Sequence, residues 1–271
     1  MDIPASLVKE LRERTGLSLM ECKKALVEAN GDLEKAIEVL RLKSGAKADK
    51  VAQRAAGEGV IGSYVNEDCS IGALLEVNCE TDFVARNEDF IAFAHHLARI
   101  VAFSSVTSID ALMDLEENGK TLESLRQELV MKVGENITVR RFVRHMAQGK
   151  LALYVHGGKI GVLVDYEGDP QIGKDLALHI AAMKPKWLDP KDVPQDILNK
   201  EKEIVTAQAK QSGKPEAVVE KMVEGRMAKF ANELALLGQA FVKDSNLTVG
   251  QWLANHHAKV FSFYLLVLGG E

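Results

Sequence analysis

The chain lacks most of what bond-making chemistry or membrane insertion requires. It has three cysteines, Cys22, Cys69 and Cys79, and no CxxC pair. Neither a disulfide framework nor a cysteine-built zinc site is expected, and the thiols read as small apolar fillers in a reducing compartment. No window approaches ~18 uninterrupted apolar residues, so no membrane span is expected. The N-terminal stretch MDIPASLVKELRERTG has no apolar run and carries acidic residues, unlike a secretory leader. Positive charge is not in excess: 34 Lys plus Arg face 39 Asp plus Glu, a net of −5. That argues against a nucleic-acid binder working through a general basic field. The seven histidines (His95, His96, His145, His156, His179, His256, His257) form no HExxH and sit near no cysteine at ligand spacing, so they read as surface or half-buried groups rather than metal ligands. No GxSxG occurs and no carboxylate pair stands out. No enzyme chemistry, metal or cofactor is therefore expected.

What is present is an ordinary globular share of hydrophobic residues, 46% of 271, enough for one to three units. Residues 1–44 read as three short helices. Pro4 suits a first turn, and Leu7, Val8 and Leu11 repeat at helical spacing up to Gly16. Ser18 to Glu21 has capping-box spacing before Ala25, Leu26 and Ala29. Asp32 can cap a third helix carrying Leu33, Ala36, Ile37 and Leu40, expected to end at Ser44-Gly45. A bundle this small has a marginal core and serves to present a surface. Residues 45–56 read as a partly helical, solvated basic linker.

The period then changes to that of strands. GVIGSYVNEDCSIGALLEVNCE reads as a hairpin around Asn66-Glu67-Asp68, followed by a helix over 88–103. A loop and a second helix, stopped by Gly134, lead into the strand ITVRRFVRH. LALYVHGGKIGVLVDYEG and DLALHIAAMKP repeat the hairpin and helix, so the core is expected to be duplicated, with a small antiparallel sheet in each half. From Pro194 two charged helices, joined at 212–215, read as a helical hairpin with a narrow apolar stripe. A short helix and a final strand, returning to the second sheet, end the chain. The fold class is α+β, with boundaries expected at 1–54 (three-helix module and linker), 55–147 (first core half), 148–186 with 229–271 (second core half) and 187–228 (helical hairpin).

Two glycine-rich stretches invite a nucleotide reading. Gly57 to Gly62 fits G-x-G-x-x-G, but a strand follows where the dinucleotide fingerprint needs a helix, so it reads as a flexible lead into the hairpin. Gly168 to Asp175 has phosphate-loop spacing, but Asp175 stands at the Mg²⁺-binding hydroxyl position and Asp169 adds a second carboxylate. Pro170 removes an amide donor, and Asp175 reads instead as favouring the helix start. A third stretch, Asn78-Cys79-Glu80-Thr81-Asp82-Phe83-Val84-Ala85-Arg86-Asn87, joins a strand to a helix. Thr81 or Asp82 could cap that helix with Phe83 in the core; alternatively, a rigid corner projects Asp82 and Phe83 into a partner.

LVKELRERTG, MECKKAL and NGDLEKAIEVLR in the first module, NCETDFVARNEDF at the corner, VGENITVRR, HGGKIGVLV and SGKPEAVVEKMVEGRMAKF occur in order across nearly the whole chain. This series resembles the bacterial elongation factor Ts family. The resemblance implies an N-terminal module like ubiquitin-associated domains, a two-halved α+β core and an inserted helical hairpin. It further implies guanine-nucleotide exchange on elongation factor Tu in the cytoplasm, acting on that partner's Mg-GDP site with no nucleotide of its own and no direct nucleic-acid contact.

On the family pattern, Thr81, Asp82, Phe83 and Val84 form the exchange wedge, with Phe83 entering between partner helices and Asp82 disturbing the Mg²⁺ surroundings. Val133 and Gly134 fall near the same region. Val8, Lys9, Arg12, Leu19, Met20 and Lys23 fall on the module surface that grips the GTPase, and His156 matches a contact to another domain of it. A homodimer or a two-to-two complex is compatible with the resemblance. Departures are Leu19 where the family often has Met, Ala240 and Lys243 near FVKDS, and the ending VLGGE. The alternative from another class is a scaffold that binds proteins through the first module without exchange activity.

Overall fold

In the computed structural model, which describes residues 3–211 and 215–270, helical spacing at the start of the chain gives α1 (Ala5–Thr15), α2 (Leu19–Glu28) and α3 (Leu33–Val51). Ser18 accepts from the Glu21 amide and Asp32 from the Lys35 amide, which satisfies otherwise orphaned donors at two helix starts. Leu11, Cys22, Leu26, Ala36 and Leu40 close a core that also takes in Met131 from a later helix, Leu122–Val133. That docking corrects the expected end of the third helix. It does not stop at Ser44-Gly45 but runs to Val51, because Ser44, Ala48 and Val51 are buried and the Lys47 ammonium donates to the Met131 carbonyl at 3.0 Å. Among the small residues read as linker composition, Ala48 is buried and Gly45 lies against the Gln127 side chain, so they form the close-packing side of a helix.

The first core half is β1 (Glu58–Val65), β2 (Ile71–Cys79), α4 (Asp82–Ala85), α5 (Glu88–Phe103), α6 (Ile109–Met113), a two-residue ladder β3 (Glu116–Glu117) and β4 (Lys120–Thr121), α7 (Leu122–Val133) and β5 (Thr138–Met146). Its antiparallel sheet has the order β1-β2-β5. Phe90, Leu97 and Val101 of α5 are fully buried in its core. The G-x-G-x-x-G stretch lies mostly within β1, not in a flexible lead. A Cβ at Gly62 would stand 2.2 Å from the Ala94 carbonyl oxygen, so this glycine lets α5 approach the strand. Helix α6 and the β3–β4 ladder fall where a plain loop is expected; they are too short to leave a periodic signal.

The second half holds β6 (Lys150–His156), β7 (Ile160–Glu167), α8 (Pro170–Met183), α9 (Gln195–Lys210), α10 (Glu216–Leu234), β8 (Ala240–Phe241), β9 (Asp244–Thr248), α11 (Val249–Asn255) and β10 (Lys259–Val267). Its sheet order is β10-β7-β6, so in both halves the returning strand pairs with the second strand of the hairpin. The two sheets meet through Ile61 and Leu74 on one side and Leu151, Leu163 and Leu266 on the other. Helices α9 and α10 pair through Val205, Ala209, Val219 and Val223, and α10 continues past residue 228 to Leu234. Most of the joining turn, Ser212-Gly213-Lys214, lies outside the described residues.

At Gly168 to Asp175 the helix N-terminus is already occupied. The Asp169 carboxylate accepts from the Gln171 amide at 2.8 Å, whereas Asp175 lies further along α8 and takes the Lys243 ammonium at 2.6 Å. Asp169, not Asp175, is thus the helix cap. The surface reading of the histidines also fails at His179, which is fully buried. It accepts from the Val242 amide at Nδ1, so Nε2 donates to the Gln239 side-chain oxygen. Nor is Cys69 a filler: it sits half-exposed in the first hairpin turn at φ 58°.

Two buried carboxylates tie the halves together. Glu76, on β2, is fully buried and accepts from Arg140 Nη1 (3.1 Å), Arg141 Nε (2.8 Å) and the Gly269 amide (2.9 Å) beyond β10. Asp165, on β7, accepts from the Gln148 and Gly149 amides and faces His145 of β5 at 2.8 Å. Burial pushes the Glu76 carboxyl up, but its hydrogen bonds from Gly269, Arg140, Arg141 and Asn78 outweigh that and hold it below the ordinary range. Its stabilising contribution is therefore complete above the unfolded-state value of about 4.3 and is lost as pH falls through the lower folded-state value. Glu76→Gln is expected to cost about 3 kcal/mol at neutral pH, because two guanidinium groups lose their counter-charge. The gap to wild type should narrow in denaturant melts run from pH 5 down to pH 2. A gap unchanged with pH would mean that Glu76 is not ionised in the folded state.

Candidate functional site

The corner after β2 is built by backbone demand. The chain must leave a sheet and start α4 within two residues, and α4 is a single turn with few bonds of its own. Thr81 caps it, its hydroxyl oxygen accepting from the Val84 amide. The decisive partner comes from the loop after α7. Glu135 accepts from the Glu80 amide (3.1 Å), the Thr81 amide (3.0 Å) and the Thr81 hydroxyl (2.6 Å). In return the Glu80 carboxylate accepts from the Asn136 amide at 2.7 Å. The buried Asn136 side chain donates to the Ala52 and Arg54 carbonyls at 3.1 and 2.8 Å. Three segments are thus laced together at one point.

This corner sends the side chains of α4 in different directions. Val84 and Ala85 are buried in the first-half core and anchor the turn. Phe83 is 83% exposed, so the aromatic is not in the core. The capping part of the plainer sequence reading holds for Thr81; its core part fails for Phe83. Asp82 pairs with Arg86 at 2.9 Å across two exposed side chains, a contact worth little energy that leaves the carboxylate available. Cys79, just before the corner, is buried and its thiol donates to the Thr81 carbonyl at 3.2 Å. Burial, followed by the Glu135 charge, pushes that thiol up to about 12, so it is no nucleophile at neutral pH.

Val133 and Gly134 reach the same corner only indirectly. Gly134 ends α7 in the left-handed conformation with open space beside it, and the chain then presents Glu135 and Asn136. These two, with Glu80, are the residues that sequence reasoning missed. The available signal was VGEN itself, where a helix stop is followed at once by two strongly hydrogen-bonding side chains.

The first module carries a separate surface. Leu19 (52% exposed), Met20 (64%) and Val27 stand out of α2, with Lys23 exposed among them; Lys9 and Arg12 are exposed on α1. Val8 is buried in the module core and supports this surface from behind. Val27 belongs to the exposed face but lay outside the expected set. His156 stands at the exposed tip of the second hairpin, 3.1 Å from the Tyr154 hydroxyl. That tip is fixed to the first half: the Ile61 amide donates to the Gly158 carbonyl, and Lys159 pairs with Glu58.

Among the described residues no group of three or more His, Cys, Asp or Glu side chains could hold a metal ion, and no helix is long and apolar enough to cross a membrane. What these places offer is contact surface: an aromatic held in water by a braced corner, exposed apolar side chains on α2 with Lys23 among them, and a fixed hairpin tip. The family described as Elongation factor TS matches residues 80–270. Over 99% of its length the chain is 54% identical to elongation factor Ts of Nitrosospira multiformis, covering 90% of that protein, and 53% identical to that of Nitrosomonas eutropha, covering 92%. It is 50% identical to the elongation factor Ts of Chromobacterium violaceum, again over 99% of the chain. The chain belongs to the elongation factor Ts family, proteins of translation elongation.

Glu135→Ala is expected to cost about 1–2 kcal/mol, because three donors lose their acceptor at a partly buried site. Amide exchange at Glu80 and Thr81 should speed up well beyond the rest of β2. Glu135→Gln, which keeps one acceptor oxygen, should fall between; unchanged exchange in both variants would show that the corner holds without the carboxylate.

Proposed function

We propose that this chain is a cytoplasmic guanine-nucleotide exchange factor that docks on elongation factor Tu carrying GDP and promotes GDP release. The observation that carries the reading is Phe83, an exposed aromatic on a single helical turn braced by Glu135. Burying such a side chain in a partner gains roughly 2 kcal/mol, and its rigid mount means little ordering cost on docking. Phe83 enters the GTPase beside its nucleotide pocket. Asp82, next to it, brings a carboxylate that competes for the Mg²⁺ surroundings, and a Mg²⁺ shell disturbed in this way loosens the phosphates it bridges.

One wedge is not enough. A nucleotide held at about 1 nM is held by roughly 12 kcal/mol, whereas a single aromatic hot spot supplies ~2–4 kcal/mol. The remainder comes from the ubiquitin-associated-like module through Leu19, Met20, Lys23, Lys9 and Arg12, and from the hairpin tip at His156. The domain division follows this use: 1–54 grips, 55–147 carries the wedge, 148–186 with 229–271 carries the tip, and 187–228 is the protruding hairpin. No nucleotide binds this chain itself, and calorimetry with GTP should give no binding heat; a micromolar affinity would revive Gly168 to Asp175 as a site.

The test is release of fluorescent GDP from purified elongation factor Tu. An equimolar amount of this chain should accelerate it, and no acceleration would overturn the reading. Phe83→Ala should lower the stimulated rate by about 30-fold or more, the equivalent of 2 kcal/mol, while docking weakens less than tenfold. Equal losses in rate and docking would make Phe83 an anchor and not a wedge.

A further inference from the structure

Strand β10 is the outer strand of its sheet, and its free side faces a groove of about 800 Å³. The groove's other wall is the segment Pro185–Leu188. The pairing register determines which β10 groups point into it. The Leu268 amide donates to the Lys159 carbonyl at 2.8 Å, so in the same register Leu266, Tyr264 and Ser262 carry the bonds to β7. Phe263, Leu265 and Val267 therefore direct their amides and carbonyls away from β7. Val267 agrees with this assignment, since its carbonyl accepts from Arg141 Nη2 and from the Gly270 amide, both at 2.9 Å. Among the described residues, the outward groups of Phe263 and Leu265 meet no such partner.

The facing wall is fixed. Lys186 and Trp187 donate their amides to the Leu234 carbonyl, and Leu236 and Leu237 donate to the carbonyls of Trp187 and Leu188. The slot thus has an unpaired strand edge on one side and Pro185, Trp187 and Leu188 on the other. Its lining charge is net positive, two ammonium groups against one carboxylate. Lys184 and Lys186 line it, are exposed and form no ion pair among the described residues, while Asp192, the acidic residue in the lining, already accepts from the Asp189 amide at 3.0 Å. Natural proteins protect such edges unless something covers them.

We infer that the β10 edge is a strand-addition site for an extended peptide segment of a partner protein, with acidic residues flanking an alternating apolar core. The main-chain ladder at Phe263 and Leu265 supplies affinity, Trp187 and Leu188 receive alternate side chains, and Lys184 and Lys186 select acidic flanks. A second copy of the chain is the poorer occupant. The wall beside this edge would be present on both copies, and two walls would have to share the width of one added strand. This surface lies apart from the contacts of the exchange reading and does not depend on it.

The probe is a seven-residue peptide, Glu-Val-Thr-Val-Thr-Val-Glu with blocked ends, titrated calorimetrically into the full chain. Saturable micromolar binding is expected; no binding up to about 1 mM overturns the proposal. N-methylation of the alternate peptide amides that face β10 should weaken binding about tenfold or more, since each lost bond counts. Unchanged affinity would exclude strand addition. Leu265→Pro removes an outward amide without touching the β7 ladder and should abolish binding, as should steric closure of the slot. Because Leu265 also packs on the core, the independent variant is Lys184→Glu with Lys186→Glu, which should prefer the same peptide flanked by lysines; an unaltered preference overturns the charge assignment. If sedimentation shows a dimer of the wild type that Leu265→Pro dissociates, the edge belongs to a second copy and the proposal fails. GDP release from elongation factor Tu should be unchanged in the double lysine variant, which separates this surface from the exchange reading.

Discussion

The Glu135 carboxylate accepts from the Glu80 and Thr81 amides and the Thr81 hydroxyl, joining segments 54 and 55 residues apart in the chain. Closing a loop of that length costs conformational entropy, and three hydrogen bonds do not repay it alone. The closure is carried by the fully buried side chains of α5, α7 and the first sheet, and Glu135 then uses a position the packing has already delivered. Its consequence is local rigidity where the secondary structure is weakest. Helix α4 has four residues and would fray in isolation. With its cap residue gripped from outside and Val84 and Ala85 buried beneath it, the turn can hold a phenylalanine in water without that side chain collapsing onto the surface.

The same constraint operates at larger scale between the two core halves. Each sheet offers one apolar face to the other, but apolar contact is non-directional and would tolerate sliding. The buried Glu76 and Asp165 remove that freedom. Each satisfies its oxygens with donors drawn from both halves, and any shift in register would strand a charge in the interior. Hydrophobic burial thus supplies the attraction and the two carboxylates supply the alignment. The corner carrying Phe83 and the tip carrying His156 are consequently held in one body.

Much of this was legible in the residues. Hairpins at 58–79 and 150–167, the helix over 88–103 and the stop at Gly134 all follow from local period and punctuation, and they appear as expected. The end of α3 was not legible, because Gly45, Ala46 and Ala48 look like linker until α7 is there for Ser44 and Ala48 to bury against. Phe83 was ambiguous for a related reason. A strand-to-helix junction explains a capping Thr and a buried aromatic equally well, and the outward aromatic goes with Val84 and Ala85 taking the core side of a turn whose cap Glu135 holds. Glu76 and Asp165 could not be singled out from 39 acidic residues, since their burial depends on strand pairing that no local pattern encodes. Local chemistry is readable in sequence; the partners of a carboxylate brought from elsewhere are not.

On the exchange reading, these supports form a single mechanical line. The α2 face sits on a module whose α3 packs along α7, with Met131 inserted into the module core and Lys47 bonded to its carbonyl. Helix α7 ends at Gly134, and the next residue is the one that holds the corner. Binding energy gained at Leu19 and Met20 is therefore gained in a body that fixes where Phe83 must go. A flexible tether between grip and wedge would let the module bind while the aromatic remained in solvent, and that docking would favour GDP release by no more than proximity. A rigid connection makes full docking conditional on insertion, so the GTPase surface that yields to Phe83 is the one that gains the whole contact. Because such coupling is reciprocal, GDP returning to its pocket must expel the wedge with the same free energy that the wedge used to loosen it. A factor built in this way releases its partner as readily as it opens it, which is what repeated turnover demands.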